Sequence, residues 1–464
     1  MRIPFCLQVC NQGKPLLFLY SSIYFQIILF HLLNNMDISY ILYIASIPMN
    51  SFSHIYILIL GVVIMRRISS IIFLIISIFI SCVFNIVLAE DASFALSSDH
   101  PFRILIIADP QDIDTPQPAM LSLLNASLDA SQPDLVVFLG DMIHGRDLRG
   151  EEKVRKAIDA AVSPVVERGI PFALVFGNHD EECGISKEEQ LKMYQSYPGC
   201  LAVDGEDLPG CGNYYIVVEN PVQLESPVVL WFMDSGSYAE EGKGTYGYVT
   251  EEQNEWMLSA YEELCGKYAS PVSYVFQHIP VPQVYNMIKE VPFGTTGAVT
   301  CYGPNFGKWY VVDEEYIWAG HMGEGPCSSE YDSGEFDAWK KMNVKAAFFG
   351  HDHLNDYCGT YEGIDMVTTS GVGFYLYGRG DEHGTRLVTL NAEKPAEYET
   401  KMLYYKDLVS EPLPGLFVSS VGVMLRKYLF MIIAALIVVI VVIVLVIRRL
   451  VKRHKRKKLK RMIA

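Results

Sequence analysis

Basic residues are scarce over most of this chain. Of 464 residues, 37 are Lys or Arg and 53 are Asp or Glu, which gives a formal net charge of −16. Ten of the basic residues lie within 448–461, and without them the rest of the chain carries −26. Nucleic-acid phosphates require a basic surface, so we expect no nucleic-acid partner.

Charge is almost absent from two stretches near the chain ends. Residues 1–64 hold only three charged side chains, and Tyr428–Ile447 is twenty residues without any. A run of that length crosses a bilayer as a helix, and a basic block beside a span marks its cytoplasmic side. We therefore predict a transmembrane helix over 428–447 and a basic cytoplasmic tail over 448–464. Binding of anionic lipid is the alternative role for the tail.

A different pattern begins at Met65. Two arginines, an apolar run and the small residue Ala89 before acidic residues follow the layout of a secretory signal peptide. We predict a signal peptide over 65–89, with Met65 as the initiator and 1–64 as spurious upstream translation. The alternative is that this first stretch forms genuine membrane helices.

Both versions place residues 90–427 on the extracellular or lumenal side, as in a single-pass type I membrane protein. Cysteine is sparse there, with seven residues, and an oxidising compartment suits disulfide bonds. We predict the pairs Cys200–Cys211 and Cys301–Cys327. Since seven is odd, at least one thiol is free or bonded to another chain.

Internal repeats and long low-complexity linkers are also absent, so residues 90–427 form one large domain. Short apolar runs of strand length recur in it, each ended by polar residues. Helical segments at Met120–Ala130 and Glu151–Arg168 separate the first three runs, and another helix is predicted at Glu251–Tyr268. The opening is thus predicted as βαβαβ with parallel strands in a layered α/β domain. The predicted strands are 102–108, 135–139, 172–176, 228–233, 274–276 and 346–349.

Five of these strands end in side chains with oxygen or imidazole donors. The ligand crevice of an open α/β sheet lies beyond the carboxyl ends of its strands, so distant tips can converge. Carboxylate, amide and imidazole donors suit Fe, Mn or Zn in a hydrolytic site, and the lack of cysteine argues against a structural zinc site. The tips are Asp109-Pro-Gln111, Gly140-Asp141, Gly177-Asn178-His179-Asp180, Gln277-His278 and Gly350-His351-Asp352-His353.

The donors suffice for two metal ions. Two ions ~3.5–4 Å apart clamp the attacking and leaving oxygens of a phosphoryl transfer. Asp141, at the central strand, is the best-placed bridging ligand. A bridging water loses a proton readily and becomes the nucleophile.

This series resembles the calcineurin-like metallophosphoesterase superfamily, whose signature is Asp-x-His, Gly-Asp, Gly-Asn-His-Asp/Glu, His and Gly-His-x-His. The segments "PDLVVFLGDMI", "CGNYYI", "LWFMDSGSY", "FQHIPVP" and "FFGHDHLNDYCG" are similar to its purple-acid-phosphatase-like branch of plants and fungi. The resemblance covers about residues 102–390. It implies a four-layer α/β/β/α sandwich.

The resemblance also implies two sets of metal ligands that share Asp141. One set is Asp109, Gln111, Asp141 and His353, and the other is Asp141, Asn178, His278 and His351. His179 is not a ligand in this scheme. It would stabilise developing charge on phosphate or protonate the leaving oxygen, with Asp180 as its orienting partner.

Two positions depart from the family pattern. Gln111 stands where the superfamily usually has His, and its neutral carbonyl is a weaker, harder donor. His144 stands where purple acid phosphatases carry the tyrosine that colours them, so we predict a colourless enzyme. His144 is either a metal or phosphate ligand or, as we favour, a loop residue near the site.

Other polar residues of the Gly-rich loops receive a structural interpretation. His321 and His383 are expected to be solvent-exposed, although contact with substrate is the alternative. Tyr375, Tyr377 and Arg379 are expected to close the sheet rather than to line the pocket.

The predicted function is a membrane-anchored metallophosphoesterase that hydrolyses phosphate monoesters by attack of a metal-bridging hydroxide. The alternative within the same dinuclear core is a phosphodiesterase or nucleotide pyrophosphatase, because loops set the choice of leaving group. A rival outside enzymes is a receptor ectodomain on an inactive phosphoesterase scaffold. The intact donor set and His179 argue against that rival.

Overall fold

The structure is a computed structural model that describes residues 94–205, 208–301, 305–413, 428, 433, 435–449 and 452. The chain divides into two compact units, Met1–Ala92 and Ser93–Ala464, and every described residue belongs to the second. The predictions for 1–64 and for the signal peptide at 65–89 lie outside the described residues.

Near the C-terminus, residues 435–449 are helical. The apolar side chains from Leu436 to Ile447 are each 43–62% exposed. No helix in the described part of the chain combines the length and the apolar character that crossing a membrane requires. The predicted span at 428–447 and tail at 448–464 are described only in part and stay predictions.

One sheet of the domain has five strands in the order β16-β15-β2-β3-β4, with β2, β3 and β4 from the start of the domain and β15 and β16 from its end. β2, β3 and β4 pair in parallel through the crossover helices α1 and α2, which confirms the predicted βαβαβ unit. β3 is a continuous apolar run because all five of its residues are completely buried. The elements are β1 (Phe94–Ala95), β2 (Phe102–Ile107), α1 (Pro118–Ser131), β3 (Leu135–Leu139), α2 (Glu151–Val166), β4 (Phe172–Val175), β15 (Gly384–Leu390) and β16 (Tyr398–Tyr404).

The other sheet has eight strands in the order β1-β5-β6-β7-β12-β14-β13-β11, of which β1 comes from the start of the domain. Its central strands β6, β7, β12 and β14 pair in parallel. A small antiparallel sheet, β8-β10-β9, lies in an insertion between β7 and β11. The elements are β5 (Tyr214–Glu219), β6 (Val228–Met233), β7 (Val272–Gln277), β8 (Ile288–Val291), β9 (Val299–Thr300), β10 (Trp309–Val312), β11 (Ile317–Ala319), β12 (Val344–Phe349), β13 (Cys358–Tyr361) and β14 (Ile364–Thr368).

Four further helices complete the described fold: α3 (Lys187–Tyr194), α4 (Glu251–Lys267), α5 (Glu335–Lys341) and α6 (Tyr405–Leu408). Both α3 and α4 begin with a capping box, in which the N-cap hydroxyl accepts from the third backbone N–H and the third side chain accepts in return. These reciprocal bonds explain why the helices begin at Lys187 and Glu251.

Two hydrophobic cores lie on the two faces of the eight-stranded sheet. Successive β6 residues alternate between them, because side chains of a strand point to opposite faces: Leu230 and Phe232 join the five-stranded sheet in one core, whereas Trp231 and Met233 join α4 and α5 in the other. On the five-stranded sheet, α1 packs against β2, β15 and α2. The layers therefore run helix, sheet, sheet, helix, and the α/β prediction is confirmed.

The predicted disulfide bonds are absent. All seven described cysteines are free thiols, so both Cys200–Cys211 and Cys301–Cys327 were wrong for this structure. Cys200 forms a backbone β-bridge with Phe172 of β4 in one sheet. The Cys211 N–H donates to Asp234, just beyond β6 of the other sheet (2.8 Å). The Cys327 thiol donates to the Gly325 carbonyl at 3.7 Å and is not bonded to Cys301.

Candidate metal centre

The predicted ligands follow five strand ends and lie where the two sheets meet. All seven are less than 9% exposed. The five-stranded sheet supplies the oxygen donors, and the eight-stranded sheet supplies the imidazoles. In chain order these are Asp109, Gln111, Asp141, Asn178, His278, His351 and His353.

Asp141 is the centre of the group. Its Oδ2 is 3.2 Å from His278 Nε2 and accepts a hydrogen bond from Gln111 Nε2 at 2.6 Å. One ligand atom each of Asp141, His278 and His351 lie within 4.8 Å of one another. The three side chains are therefore close enough to share one ion.

Asp109 joins the same group from β2. Its Oδ1 lies 3.6 Å from His353 Nε2 and 4.0 Å from His278 Nε2, and its Oδ2 accepts from the His351 N–H at 3.1 Å. Asp109 thus reaches imidazoles from both strands of the second sheet.

Asn178 is held beside Asp141 by the backbone of the next residue, His179. The His179 N–H donates to Asp141 Oδ1 at 2.8 Å, which fixes the turn after β4. The Asn178 amide nitrogen is directed to the Tyr238 hydroxyl at 3.5 Å. The Asn178 Oδ1 is consequently left without a protein partner.

The backbone is strained at four of the seven positions. Asp109, Gln111, Asp141 and His351 have φ values of 50°, 35°, 49° and 72°, a region that non-glycine residues adopt rarely. Such residues cost about 1–3 kcal/mol each and persist where the surrounding structure imposes them. The strain turns each side chain from the strand end into the crevice.

Close packing around Asp141 requires glycine at position 177. A Cβ there would stand 2.2 Å from Asp141 Oδ1 and 2.5 Å from the Asp141 backbone nitrogen. The glycine of "GNHD" therefore lets the turn after β4 approach the carboxylate. Gly140 has the same role beside His278, because its Cβ would lie 2.5 Å from His278 Nδ1.

The donor atoms fit metal ions. Burial lowers the pKa of His351 well below its usual value and lowers that of His353 to about 4, so both imidazoles are neutral at pH 7 and keep a lone pair for a metal. Carboxylate, amide oxygen and neutral imidazole together suit Fe, Mn or Zn. Three of the seven residues present a buried donor atom that has no hydrogen-bond partner: Gln111 Oε1, Asn178 Oδ1 and His351 Nε2. His278 Nε2 faces the Asp141 and Asp109 carboxylates.

Charge is unevenly distributed between the two carboxylates. Burial alone would raise the pKa of Asp141, but the adjacent His278 outweighs it and the pKa is strongly lowered. Burial raises the pKa of Asp109, against the opposing charge of His278. Asp141 is thus the more firmly ionised of the two, as a bridging ligand requires.

The predicted partner of His179 needs correction. The Asp180 carboxylate accepts instead from three backbone N–H groups, those of Gly177 (2.8 Å), Asp141 (3.1 Å) and Ile143 (3.3 Å). It fixes the loops that carry the ligands and does not touch the His179 ring. His179 Nδ1 lies 2.7 Å from Glu182 Oε2.

Glu182 was missed at the sequence level and lies within a short polar network. Arg146 Nε donates to both its carboxylate oxygens at 2.9 Å, and the Tyr238 hydroxyl donates to Oε1 at 2.7 Å. Burial would raise the pKa of Glu182, but the hydrogen bonds from Arg146, His179 and Tyr238 lower it. The carboxylate therefore stays charged beside the His179 ring.

His144 lies at the edge of the site. Its ring centroid is 6.1 Å from that of His179 and 5.5 Å from that of Tyr375, and its Nδ1 is 3.5 Å from Asp147. Tyr375 donates to the same Asp147 carboxylate at 2.6 Å. None of these contacts joins His144 to a predicted ligand.

Two interpretations of loop residues change. His383, expected to be exposed, is 4% exposed, and its Nδ1 bonds to the Gly371 carbonyl at 2.8 Å, whereas His321 is exposed as expected. Tyr377, expected to close the sheet, stacks on the His353 ring at 4.6 Å. It therefore buttresses a predicted ligand.

The comparisons with known proteins agree with this geometry. The family model described as "Calcineurin-like phosphoesterase" matches residues 102–355. That is more than half of the chain, and the protein therefore belongs to the calcineurin-like phosphoesterase family. The predicted enzyme class, a hydrolase of phosphoric ester bonds, is confirmed at the family level, and the family implies a phosphorylated substrate and a dinuclear metal centre.

Individual relatives share about three residues in ten. The chain is 29% identical to "Probable inactive purple acid phosphatase 14" of Arabidopsis thaliana, over 59% of this chain and 67% of that protein. It is 31% identical to "Phosphatase DCR2" of Saccharomyces cerevisiae, over 50% of this chain and 38% of that protein. A solved dimetal phosphatase from Danio rerio is 17% identical, with a TM-score of 0.40, over 66% of this chain and all of that one.

Proposed function

We propose that this protein hydrolyses phosphate monoesters at a dinuclear metal centre. One observation carries the proposal: three buried donor atoms without hydrogen-bond partners, together with His278, lie around the ionised Asp141. Buried polar atoms are almost always satisfied in folded proteins. Their convergence here indicates ligands that await cations.

The residues divide into two ligand sets, as the family resemblance implies. Asp109, Gln111, Asp141 and His353 would hold one ion, and Asp141, Asn178, His278 and His351 would hold the other. Two bound ions would supply an activated water and positive charge for the phosphate oxygens. The preference for monoesters follows the relatives that carry the name phosphatase.

His179 would protonate the leaving oxygen. Its Nδ1 faces the charged Glu182, so the proton on Nδ1 is held there and Nε2 remains for substrate. Arg146 and Tyr238 keep Glu182 in place from the other side. Asp180 acts on the ligand loops rather than on the acid.

The names of three plant relatives include the words "Probable inactive", which favours the rival reading of an inactive scaffold. In this chain all seven predicted ligands and His179 are present, and the ligands are buried in the crevice. An inactive scaffold would have no need to retain three unsatisfied donors, each of which costs stability when no cation binds. We therefore assign activity to this protein.

Membrane anchoring is a further part of the proposal. It is supported by the uncharged run at 428–447, the basic residues that follow it, and the exposed apolar side chains of 435–449. The domain at 90–427 would then be extracellular or lumenal. Extraction of membranes at alkaline pH should leave the protein in the pellet, and release into the supernatant would contradict the anchor.

Activity can be tested on the purified full chain supplied with Mn²⁺, Zn²⁺ or Fe²⁺. We expect hydrolysis of p-nitrophenyl phosphate to exceed that of bis-p-nitrophenyl phosphate, and Asp141→Asn to abolish it without loss of fold. The matched control is Asp337→Asn, the same change at an exposed position of α5. Faster cleavage of the diester would select the phosphodiesterase alternative, and turnover that survives Asp141→Asn would overturn the bridging role.

A further inference from the structure

A second group of buried polar atoms without hydrogen-bond partners lies elsewhere in the described structure. Three more buried oxygens without hydrogen-bond partners are Gln277 Oε1, Gln283 Oε1 and Glu335 Oε1. All three residues line one small cavity of about 10 Å³ between the end of β7 and the start of α5. Asp332 lines the same cavity.

The two amides are held with their nitrogen atoms on protein partners. Gln277 Nε2 donates to the Ile279 carbonyl at 2.9 Å and to Glu335 Oε2 at 3.4 Å. Gln283 Nε2 donates to Asp332 Oδ2 at 2.9 Å. The opposite end of each amide, its oxygen, is thereby left for another ligand.

Charge in this cavity is uncompensated. Glu335 is 4% exposed, and none of the described residues that line the cavity is a lysine, arginine or histidine. A buried carboxylate without a positive partner is costly, and burial raises the pKa of Glu335 well above its usual value. Either a proton or a cation must neutralise it.

We propose that this cavity is a calcium site. Its unpartnered donors are all oxygen, from one carboxylate and two amides, with the Asp332 carboxylate beside them. Calcium prefers such mixed carboxylate and carbonyl oxygen sets, whereas Fe and Zn favour the imidazole-containing set of the metal centre. A single proton on Glu335 would satisfy only one of the three unpartnered oxygens, whereas one cation can be bound by all three.

The site would join segments that are distant in sequence. Gln277 ends β7 directly before the ligand His278, Gln283 lies in the turn that follows, and Glu335 begins α5. A cation bound between them would fasten these segments together. Calcium should therefore raise the thermal stability of the whole domain.

The test uses the full chain with Asp141→Asn, after chelation, so that the dinuclear centre does not obscure the second site. Calorimetric titration with CaCl₂ alone should give one Ca²⁺ per chain. Thermal unfolding at saturating CaCl₂ should show a rise in Tm of roughly 5 °C. Adding Glu335→Gln should abolish both. Adding Asp337→Asn instead, two residues further along α5, should leave both intact.

Three results would overturn the proposal. They are the absence of calcium binding to the Asp141→Asn protein, an equal response to MgCl₂, and a calcium response that survives Glu335→Gln. If Glu335→Gln fails to fold, Gln283→Leu at the rim of the cavity removes one oxygen, and undiminished affinity in that variant would also overturn it. A higher Tm for Glu335→Gln in chelator, with no calcium response of the parent, would assign a proton to Glu335.

Discussion

The two sheets contribute different chemistry to one centre. Loops after the five-stranded sheet bring only oxygen donors, such as Asp141 and Asn178, whereas loops after the eight-stranded sheet bring only imidazoles, such as His278. The oxygen side carries the negative charge. On the imidazole side burial lowers the pKa of His351 and His353, whereas for His278 the Asp141 and Asp109 carboxylates outweigh burial and raise the pKa to about 9. The centre therefore exists only where the sheets are packed together.

The sheets also differ in how they aim these groups. Three of the four strained ligands, Asp109, Gln111 and Asp141, belong to the oxygen side, and His351 is the only one on the imidazole side. The oxygen side also needs glycine at 177 for close approach. The oxygen side is thus the more constrained half and should tolerate less change in shape.

The largest effect is expected from removing the imidazole that links the halves. His278 contacts Asp141 through Nε2 and the Leu139 carbonyl through Nδ1 (2.9 Å). His278→Ala should lower kcat by about 10³-fold, since a preorganised charge-stabilising group is lost, and should reduce the bound metal from two ions to one. Elemental analysis and steady-state kinetics check this, with exposed His100→Ala as the control, and two ions in the variant would refute the ligand assignment.

One added methyl group should distort the oxygen side of the metal centre. Gly177→Ala would place a carbon 2.2 Å from Asp141 Oδ1, and a shift of about 1 Å at a reacting centre costs roughly 10²-fold in rate. Overpacking should also cost about 1–3 kcal/mol of unfolding free energy. Gly266→Ala in α4, where a Cβ meets open space, should lose neither activity nor stability in the same assays.

A smaller effect should follow from changing the partner of the acid. Glu182→Gln removes the charge that orients His179, and loss of such a partner costs about 10–100-fold. The fall should lie in kcat rather than in KM, because the His179 ring loses the carboxylate that orients it. Glu181→Gln, one residue earlier, is the control, and an unchanged kcat in Glu182→Gln would exclude the positioning role.

The difference between the oxygen side and the imidazole side can be tested by placing a histidine on the oxygen side. Gln111→His restores the residue usual in the superfamily and replaces a weak amide donor. We expect metal affinity to rise about 10-fold, the scale of changes around a metal ligand, with turnover within a few-fold of the parent. Competition with a chromogenic chelator measures the affinity, and weaker binding would show that the amide is the better fit to this crevice.

The strand ends could be predicted because the strands are buried on both faces. Leu135–Leu139 and Val228–Met233 are continuous apolar runs, and both were placed with their observed bounds. Asp141 follows the first of these runs by two residues, and that position placed it in the crevice. Asp234, directly after the second run, pairs with Lys187 instead (2.8 Å). Parallel pairing then brings these ends to one edge.

The residues that were missed owe their position to loop conformation. Glu182 meets His179 because the chain forms a short 3₁₀ turn at Asp180–Cys183, and no apolar pattern announces that turn. Tyr377 reaches His353 across 24 residues of loop and strand. β16 has polar and half-exposed residues throughout, so it carries no continuous apolar signal at the edge of its sheet.

Residues with positive φ outside the metal centre are positions where a substitution should raise the stability of the protein. Gln132, with φ of 45°, follows α1 at an exposed position, and glycine is the residue that suits such a helix end. Gln132→Gly should therefore add about 1 kcal/mol to the unfolding free energy. Asp109, Gln111 and Asp141 allow no such relief, because the same replacement would delete a metal ligand, and thermostability engineering must leave that part of the chain untouched.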